Sequence, residues 1–265
     1  GFPSHRLEEA LPLLADLGFE AVAITPDVAH LDPRYVTPSD VAKIGTLCQQ
    51  LGLTPVVETG ARYLLDPKRK HRPNLLELDT SKDLRLKFLR HMIEWCEILG
   101  AEVLSFWSGV LPEGQSQKGA LDRLSAACEN LADLAARRGV RLALEPEPGH
   151  LIATLEDWRN FHEANPGVVG LTLDVGHLLA NEEAPAHEAI PSFQEHILNI
   201  QLDDARHGVH EHLAPGEGEV NFESLFRALK ESGLQCPACW ELPRDGHRFA
   251  ALAPEVARYW KTLGA

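Results

Sequence analysis

One unit, a helix that ends at a glycine and leads into a short strand, recurs along the chain and limits the folds open to it. In the first three units, apolar residues at helical spacing end at Gly18, Gly52 and Gly100, and a strand-like run follows each. The pattern predicts strands at 19–25, 54–58, 102–106, 141–145, 168–174, 197–201 and 238–241. It predicts helices at 7–17, 41–51, 84–99, 121–134, 155–164, 186–196, 221–229 and 250–263. Strands that alternate with helices in this way form parallel βαβ units.

An α/β barrel accounts best for this repeat. TIM barrels commonly contain about 250 residues, and this chain has 265. Seven strands leave a closed barrel one strand short, and the eighth would precede the first helix. We therefore expect a (β/α)8 TIM barrel whose first strand is missing from this chain and lies upstream of Gly1. An open, doubly wound sheet is the alternative, although no Gly-x-Gly-x-x-Gly motif follows any strand. No low-complexity linker divides the sequence, so we expect one domain over residues 1–265.

The composition argues against several classes of protein. The formal net charge of −14 disfavours a nucleic-acid surface. No segment approaches the roughly 18 consecutive apolar residues of a membrane span, and no signal peptide opens the chain. Five cysteines, an odd number, fit free thiols in the reducing cytoplasm. The motif Cys236-Pro-Ala-Cys239 leads into a strand rather than a helix, so we expect buried cysteines there and no redox or zinc site.

Four consecutive predicted strands carry an oxygen donor near their carboxyl ends. The four side chains are Glu145, Asp174, Gln201 and Glu241. In a barrel the carboxyl ends of the strands meet at one mouth, and carboxylates that meet there repel each other. A divalent cation removes this repulsion, with Mn²⁺ or Mg²⁺ preferred by oxygen ligands and Co²⁺, Fe²⁺ or Zn²⁺ tolerated beside histidines. The alternative is that each residue caps its own strand or pairs with an arginine or lysine.

The segments around these positions resemble the xylose-isomerase-like TIM barrels. That superfamily includes sugar and sugar-phosphate isomerases and epimerases, inosose dehydratases, hydroxypyruvate isomerases and endonuclease IV. The resemblance extends from Phe19 to the C-terminus and rests on Leu-Glu145-Pro, Asp174-Val-Gly-His177, Gln201-Leu-Asp-Asp204, Gly216-Glu-Gly-Glu-Val-Asn221 and Glu241. It implies that the four strand-end residues are the metal ligands. The third ligand of the family is most often histidine, and the glutamine found here is the residue of hydroxypyruvate isomerases.

The resemblance also implies a reaction. A metal bound to the carbonyl and hydroxyl oxygens of a sugar acidifies the C–H between them and stabilises the enediolate. Glu145 and Glu241 are the expected catalytic residues, one removing the proton and the other returning it. We expect an isomerase or epimerase of a sugar, sugar phosphate or related hydroxy-carbonyl compound. An inosose-type dehydratase or lyase, which expels hydroxide from the same intermediate, is the alternative.

Five further residues are predicted to bind the substrate. His177 matches the family pattern and is expected to contact a substrate oxygen or a second metal, with a structural histidine as the alternative. Arg206 and His212 lie in the loop after the Gln201 strand, and a histidine exposed to solvent is the alternative for His212. Trp107 follows a strand and offers a surface for the apolar face of a sugar, with packing in the core or at the rim as the alternative. Glu147 lies two residues after Glu145, where it binds hydroxyl groups or faces solvent.

The long connection 60–79 contains a basic run in an acidic chain. A connection of this length is often a lid or a binding loop, and a phosphate or carboxylate on the substrate would suit its charge. A solvated surface or a subunit contact is the alternative. We expect a small polyhydroxylated substrate as the partner, no nucleic acid or membrane, and a possible homodimer. Two other classes remain open at this point: an endonuclease IV-like nuclease and a barrel that binds a ligand without catalysis.

Overall fold

Seven parallel strands, each followed by helical chain, form the protein. The computed structural model describes residues 2, 4–78 and 80–264. The strands are β1 (Ala21–Ile24), β2 (Thr54–Glu58), β3 (Val103–Trp107), β4 (Arg141–Glu145), β5 (Gly170–Asp174), β6 (Ile197–Leu202) and β7 (Ala238–Trp240). The helices are α1 (Leu7–Leu17), α2 (Pro38–Leu51), α3 (Ser81–Leu99), α4 (Gln117–Arg137), α5 (Leu155–Ala164), α6 (Val175–Ala180), α7 (Ala186–Phe193), α8 (Phe222–Ser232) and α9 (Phe249–Thr262). Every predicted strand and helix is present, and α6 was not predicted.

The strands lie in the sheet in the order of the chain, from β1 to β7, and each pair is parallel. A doubly wound sheet reverses its strand order at a switch point, so this order excludes the open-sheet alternative. The first and last strands approach each other, with Cα atoms of β1 and β7 within 8 Å. The protein is therefore a nearly closed α/β barrel of the TIM type.

The barrel wall is incomplete between β1 and β7. A cavity of about 340 Å³ opens there and is lined mainly by apolar side chains of these strands, α1 and α9, among them Leu11, Val22 and Val256. Seven strands rather than eight are present in the residues that the structure describes. The cavity lies where the eighth strand of a closed barrel would complete the wall.

The helix ends follow from local sequence. At the start of α2, Thr37 accepts a hydrogen bond from the backbone N–H of Asp40, and Pro38 occupies the first turn. At its end, Gly52 adopts the left-handed conformation with φ of 69°, which costs glycine no steric strain. The chain then enters β2 two residues later. These stops fix where each strand begins and hence which residue reaches its carboxyl end.

The interior of the barrel becomes more polar toward the carboxyl ends of the strands. Val56, Val103 and Ala143 pack together at one level. Two residues further along β3, the hydroxyl of Ser105 lies 2.8 Å from that of Thr172 on β5. Side chains two residues apart on a strand share a face. The next level toward the mouth of the barrel therefore carries the strand-end carboxylates. None of the described helices is both long and apolar enough to cross a membrane.

Candidate functional site

The strand-end side chains meet at the mouth of the barrel. Glu145, Asp174 and His177 each offer a ligand atom within 4.8 Å of the others, and so do Asp174, His212 and Glu241. Glu145 and Asp174 are almost entirely buried, with 6% and 2% of their surface exposed. Glu145 and Asp174 are the last residues of β4 and β5, and their side chains lie on the faces of these strands that point into the barrel. The structure thus brings the predicted strand ends together.

Asp174 and His177 are fixed by the short helix α6. Asp174 is its N-cap, and its Oδ1 accepts a hydrogen bond of 2.8 Å from the backbone N–H of His177. The Nδ1 atom of His177 lies 3.0 Å from the carbonyl oxygen of Pro146. Because a carbonyl only accepts, Nδ1 carries the proton and donates. Asp174 Oδ2 and His177 Nε2 are buried, make no hydrogen bond with any described residue and lie 3.8 Å from each other, so one ligand could contact both.

Glu58, which the sequence analysis did not assign to the site, orients Gln201. The Nε2 amide group of Gln201 donates a short hydrogen bond to Oε1 of Glu58 at the end of β2. The amide oxygen of Gln201 is buried and has no partner. A carboxylate accepts only, so Glu58 decides which end of the amide faces the site. Glu58 ends a strand like the other acidic residues, and this position was a sign that could have identified it.

The crowded carboxyl groups perturb one another. Burial, reinforced by the charges of Glu147 and Glu241, raises the pKa of Glu145 well above its usual 4.5. Burial and the charge of Glu58 likewise raise the pKa of Glu241 well above its usual value. Both carboxyls therefore resist ionisation while no cation balances them. Buried oxygens without partners, together with carboxyls that need a positive charge, fit a divalent metal ion.

Three residues of the loop after β6 border this site. His212 Nδ1 lies 2.7 Å from Oδ2 of Asp203, a buried carboxylate whose Oδ1 accepts from the backbone N–H of Gly176. A Cβ on residue 176 would overlap that carboxylate, which explains the glycine. His210 Nε2 lies 3.7 Å from Oε1 of Glu147. Asp203, like Glu58, was missed by the sequence analysis, because only the fold shows that it faces His212.

The predicted substrate-binding residues fall into two groups. Trp107, Glu147 and His212 line a cavity of about 440 Å³ together with Glu145, Gln201 and Glu241. His177 lies beneath it, 3.8 Å from Glu147. Arg206 does not line the cavity: its guanidinium is exposed and lies 3.0 Å from Oε1 of Glu211. A role for Arg206 in substrate binding stays a prediction that this arrangement does not favour.

Proteins of known sequence resemble this chain over most of its length. L-ribulose-5-phosphate 3-epimerase UlaE of Salmonella paratyphi C (strain RKS4594) is 27% identical over 257 residues, which span 95% of this chain and 87% of the relative. The same enzyme of Shigella flexneri serotype 5b (strain 8401) is 26% identical over 238 residues, which span 88% of this chain and 81% of the relative.

Solved structures share the fold. A D-tagatose 3-epimerase-like protein superposes with a TM-score of 0.77 at 21% identity and covers 99% of this chain and 97% of its own. The IOLI protein, solved with a zinc atom, superposes with a TM-score of 0.75 at 20% identity over 98% of this chain and 90% of its own. A family model described as xylose isomerase-like TIM barrel matches residues 11–263. With that match over nearly the whole chain, the protein belongs to the xylose isomerase-like TIM barrel family.

Proposed function

We propose that this protein is an epimerase of a small ketose sugar that works with a divalent cation, Mn²⁺ or Mg²⁺, in the cytoplasm. The observation that supports the proposal is one cavity lined by two carboxyls, the buried Glu145 and the half-buried Glu241, beside the buried amide oxygen of Gln201, which has no hydrogen-bond partner among the described residues. The relatives support it, since UlaE is named as a 3-epimerase of L-ribulose 5-phosphate. Cobalt, iron and zinc are the alternative cations, and a homodimer stays a prediction.

Four side chains would hold the cation: Glu145, Asp174, Gln201 and Glu241. Three are carboxylates and one is an amide that presents its oxygen, which is the donor set hard divalent cations prefer. When bound, such a cation polarises the carbonyl and neighbouring hydroxyl oxygens of the ketose and acidifies the C–H between them. His177, whose Nε2 is buried and unpartnered, is placed to contact a hydroxyl of the sugar.

Glu145 and Glu241 are proposed to move the proton. Glu145 ends β4 and Glu241 directly follows β7, and two strands of the barrel separate β4 from β7, so the two carboxyls approach a bound sugar from different sides of the mouth. A carboxyl group can act as general acid or base when it lies within hydrogen-bond reach of the proton that moves. A proton removed by one and supplied by the other on the opposite face inverts the carbon between them.

Proton exchange tests the proposal. Ketopentoses are incubated with the Mn²⁺-loaded protein in deuterated water, and NMR follows deuterium at the carbon beside the carbonyl and the appearance of the epimer. Glu145→Gln and Glu241→Gln are each expected to lower the rate by about 100- to 10,000-fold. Glu102→Gln, which changes an exposed glutamate of the same barrel, is the matched control and is expected to leave the rate unchanged.

Other outcomes would redirect the assignment. Exchange that ends in loss of water would assign a dehydratase, and movement of the carbonyl would assign an isomerase. A protein that binds Mn²⁺ but exchanges no proton of any ketose would contradict the proposal. A rate in Glu145→Gln and Glu241→Gln equal to that of the wild-type protein would exclude these two residues as the acid and base.

A further inference from the structure

The cavity at the mouth has a basic wall as well as an acidic one. Its lining includes Arg62, Lys70 and His71, all from the long connection after β2, and we call these three residues the basic wall. Arg244, from the loop after β7, lines the same cavity. In a chain with a net charge of −14, cations that face the same cavity as the carboxylates need a reason. Neutralising the metal ligands is not that reason, since a divalent cation does so.

The cations of the wall lack the partners that the rest of the basic run has. Arg69 pairs with Asp66 at 2.6 Å, and Arg72 pairs with Glu77 at 2.5 Å. Among the described residues, no carboxylate lies within 4 Å of the side chains of Arg62 and Lys70. Arg69 and Arg72 are thus neutralised by neighbouring carboxylates outside the cavity lining, Lys68 is exposed to solvent, and Arg62 and Lys70 face the cavity without a described carboxylate as a partner.

The backbone holds the wall in a strained conformation. The backbone N–H of His71 donates a hydrogen bond of 2.6 Å to the carbonyl oxygen of Arg62 and closes the loop between them. His71 has φ of 60°, in the left-handed region that residues other than glycine rarely adopt. Strain of this kind persists where a surrounding structure enforces it, often at a ligand site. The closed loop sets Arg62, Lys70 and His71 side by side.

An aromatic support lies under the wall. The ring of His71 stacks on Trp107 with centroids 5.1 Å apart, and the guanidinium of Arg85 lies 4.2 Å from the Trp107 centroid. Arg85 is buried, 1% exposed, and donates to the carbonyl oxygen of Thr59 at 2.9 Å. No described carboxylate pairs with it. Its charge therefore adds to the positive potential of the wall instead of being cancelled.

One polar atom of the wall has no partner. Nε2 of His71 is buried and unpartnered, although unsatisfied buried polar atoms are costly. Burial and the positive charges of Lys70, Arg85 and Arg62 lower the pKa of His71 to about 4. The same neighbours that oppose a proton on His71 would favour a bound anion. A ligand oxygen would satisfy Nε2 in its neutral N–H form.

From these contacts we propose that the sugar carries an anionic group, a phosphate monoester or a carboxylate, which binds to Arg62, Lys70 and His71 while the reacting carbons lie at the carboxylates. This inference rests on the proposed epimerase function and adds the chemistry of the substrate. Multiple N–H donors on one wall match the several oxygens that a phosphate or carboxylate presents. Trp107 acts as a positioning residue, because its ring supports His71.

The first test compares substrates and variants. Steady-state rates are measured for a ketopentose, its 5-phosphate and the corresponding keto-uronate, with wild-type protein and with Lys70→Ala, Arg62→Ala and Lys68→Ala. Losing one charged hydrogen bond is expected to lower kcat/KM for the preferred anionic sugar by about 10- to 100-fold, mainly through KM. Turnover of the neutral sugar is expected to fall much less in Lys70→Ala and Arg62→Ala, because the neutral sugar has no anionic group to contact these side chains. Lys68 is exposed and lies outside the cavity lining, so Lys68→Ala is the matched control.

The second test does not require turnover. Binding of inorganic phosphate to the Mn²⁺-loaded protein is measured by calorimetry in wild-type, Lys70→Ala and Lys68→Ala proteins, with metal content checked in each. Phosphate binding that weakens by about 10-fold or more only in Lys70→Ala supports the anion site even if no ketose reacts. Equal turnover of the neutral and anionic sugars, or phosphate binding that is equal in all three proteins, would overturn the inference while leaving the epimerase proposal intact.

Discussion

The third proposed metal ligand, Gln201, is an amide. A carboxylate or an imidazole can bind a cation in either orientation of its end group, whereas an amide must present its oxygen. The two ends of an amide look alike in shape, and only the oxygen can bind a cation. Glu58 removes this ambiguity because it accepts the hydrogen bond from Gln201 Nε2. The loss of a neighbour that orients a metal ligand typically lowers metal affinity by about 10- to 100-fold. Glu58 therefore acts as a positioning residue through Gln201.

Removing the acceptor is expected to weaken metal binding. Glu58→Ala leaves the amide of Gln201 free to turn its NH₂ group toward the site, and we expect Mn²⁺ affinity to fall by about 10- to 100-fold. Glu58→Gln is the matched control, because its side-chain oxygen still accepts the bond while its charge is lost. Titration calorimetry with Mn²⁺ measures both. Equal affinities of the Glu58→Ala and wild-type proteins would show that Glu58 does not orient the ligand.

The cysteines are expected to be inert in the native protein. All five are free, and burial raises the pKa of the Cys48 and Cys236 thiols to about 11. Since the thiolate is the reactive form, native protein is expected to react with a thiol reagent at pH 8 far more slowly than denatured protein. Absorbance of the released chromophore measures this, with five thiols expected after denaturation. Rapid reaction of a pair at 236 and 239 would instead indicate the redox motif that the sequence analysis rejected.

The residues of the site differ in how far sequence alone could identify them. Asp174 and Glu145 end apolar runs, and an ionisable group at the end of a buried strand is visible without a structure. Glu58 had the same position and was passed over. Asp203 and Arg85 could not be found, because each acts through a side chain that only the fold brings beside it, His212 in one case and the Trp107 ring in the other. Partner identity comes only from the fold.

Among the elements, the loop 205–220 depends on one buried residue, Asp204. Its two oxygens accept hydrogen bonds from the backbone N–H groups of Ala205, Gly216, Gly218 and Val220, at 2.8–3.0 Å. Asp204 is 1% exposed. The Gly216–Asn221 turn, which helped to place the chain in its family, is therefore the segment that wraps this carboxylate. The loop carries His210 and His212 to the cavity.

Loss of this carboxylate is expected to destabilise both the loop and the protein. Asp204→Ala leaves four backbone N–H groups without their acceptor, and we expect the free energy of unfolding to fall by about 3 kcal/mol. Glu219→Ala is the matched control: within the part of the chain that the structure describes, this exposed side chain accepts one hydrogen bond, from the backbone N–H of His207, and its loss is expected to cost under about 1 kcal/mol. Urea unfolding measures both. Equal losses in the two variants would contradict the central role of Asp204.

The helix–strand repeat was visible in the sequence because it is set by local chemistry: apolar spacing, N-caps and terminal glycines. Helix α6 was not, since six residues present too short a pattern for periodicity and its start depends on the Asp174 cap. The ends of α7 and α8 also differ from prediction by a few residues, as helix boundaries commonly do. The order of the helices and strands can thus be predicted from local sequence, whereas the formation of α6 depends on the cap that Asp174 provides at the mouth of the barrel.

For the whole molecule, the barrel concentrates acidic groups at one mouth and leaves its wall open between β1 and β7. The sequence predicted this architecture because parallel βαβ units have few ways to close. That residues 1–265 form one domain stays a prediction. The carboxyl groups at the mouth repel one another when they are ionised, because they are buried close together. This repulsion lowers the free energy of unfolding of the whole protein and cannot be assigned to one residue. Metal removal should expose it.

Stability of the metal-free protein is expected to fall as pH rises from 6.5 to 8. Glu145, Glu241 and Asp203 have pKa values raised well above those of the unfolded chain, chiefly by burial. The folded state therefore holds protons that the unfolded state has lost, and stability declines by up to about 1.4 kcal/mol per pH unit for each such group. Histidines whose pKa is lowered, such as His71, act oppositely, but only below their usual 6.5.

Added metal should oppose this fall in stability. A cation binds the deprotonated carboxylates, so its stabilisation grows as pH rises, reaching about 2.7 kcal/mol when its concentration is a hundred times Kd. Urea unfolding at pH 6.5, 7.25 and 8, with chelator or with Mn²⁺, measures both effects. The double variant Glu145→Gln and Glu241→Gln is the control, and it should show a flatter pH dependence and little response to Mn²⁺. A chelated wild-type protein that becomes more stable over this pH range would mean that the mouth holds no stored repulsion.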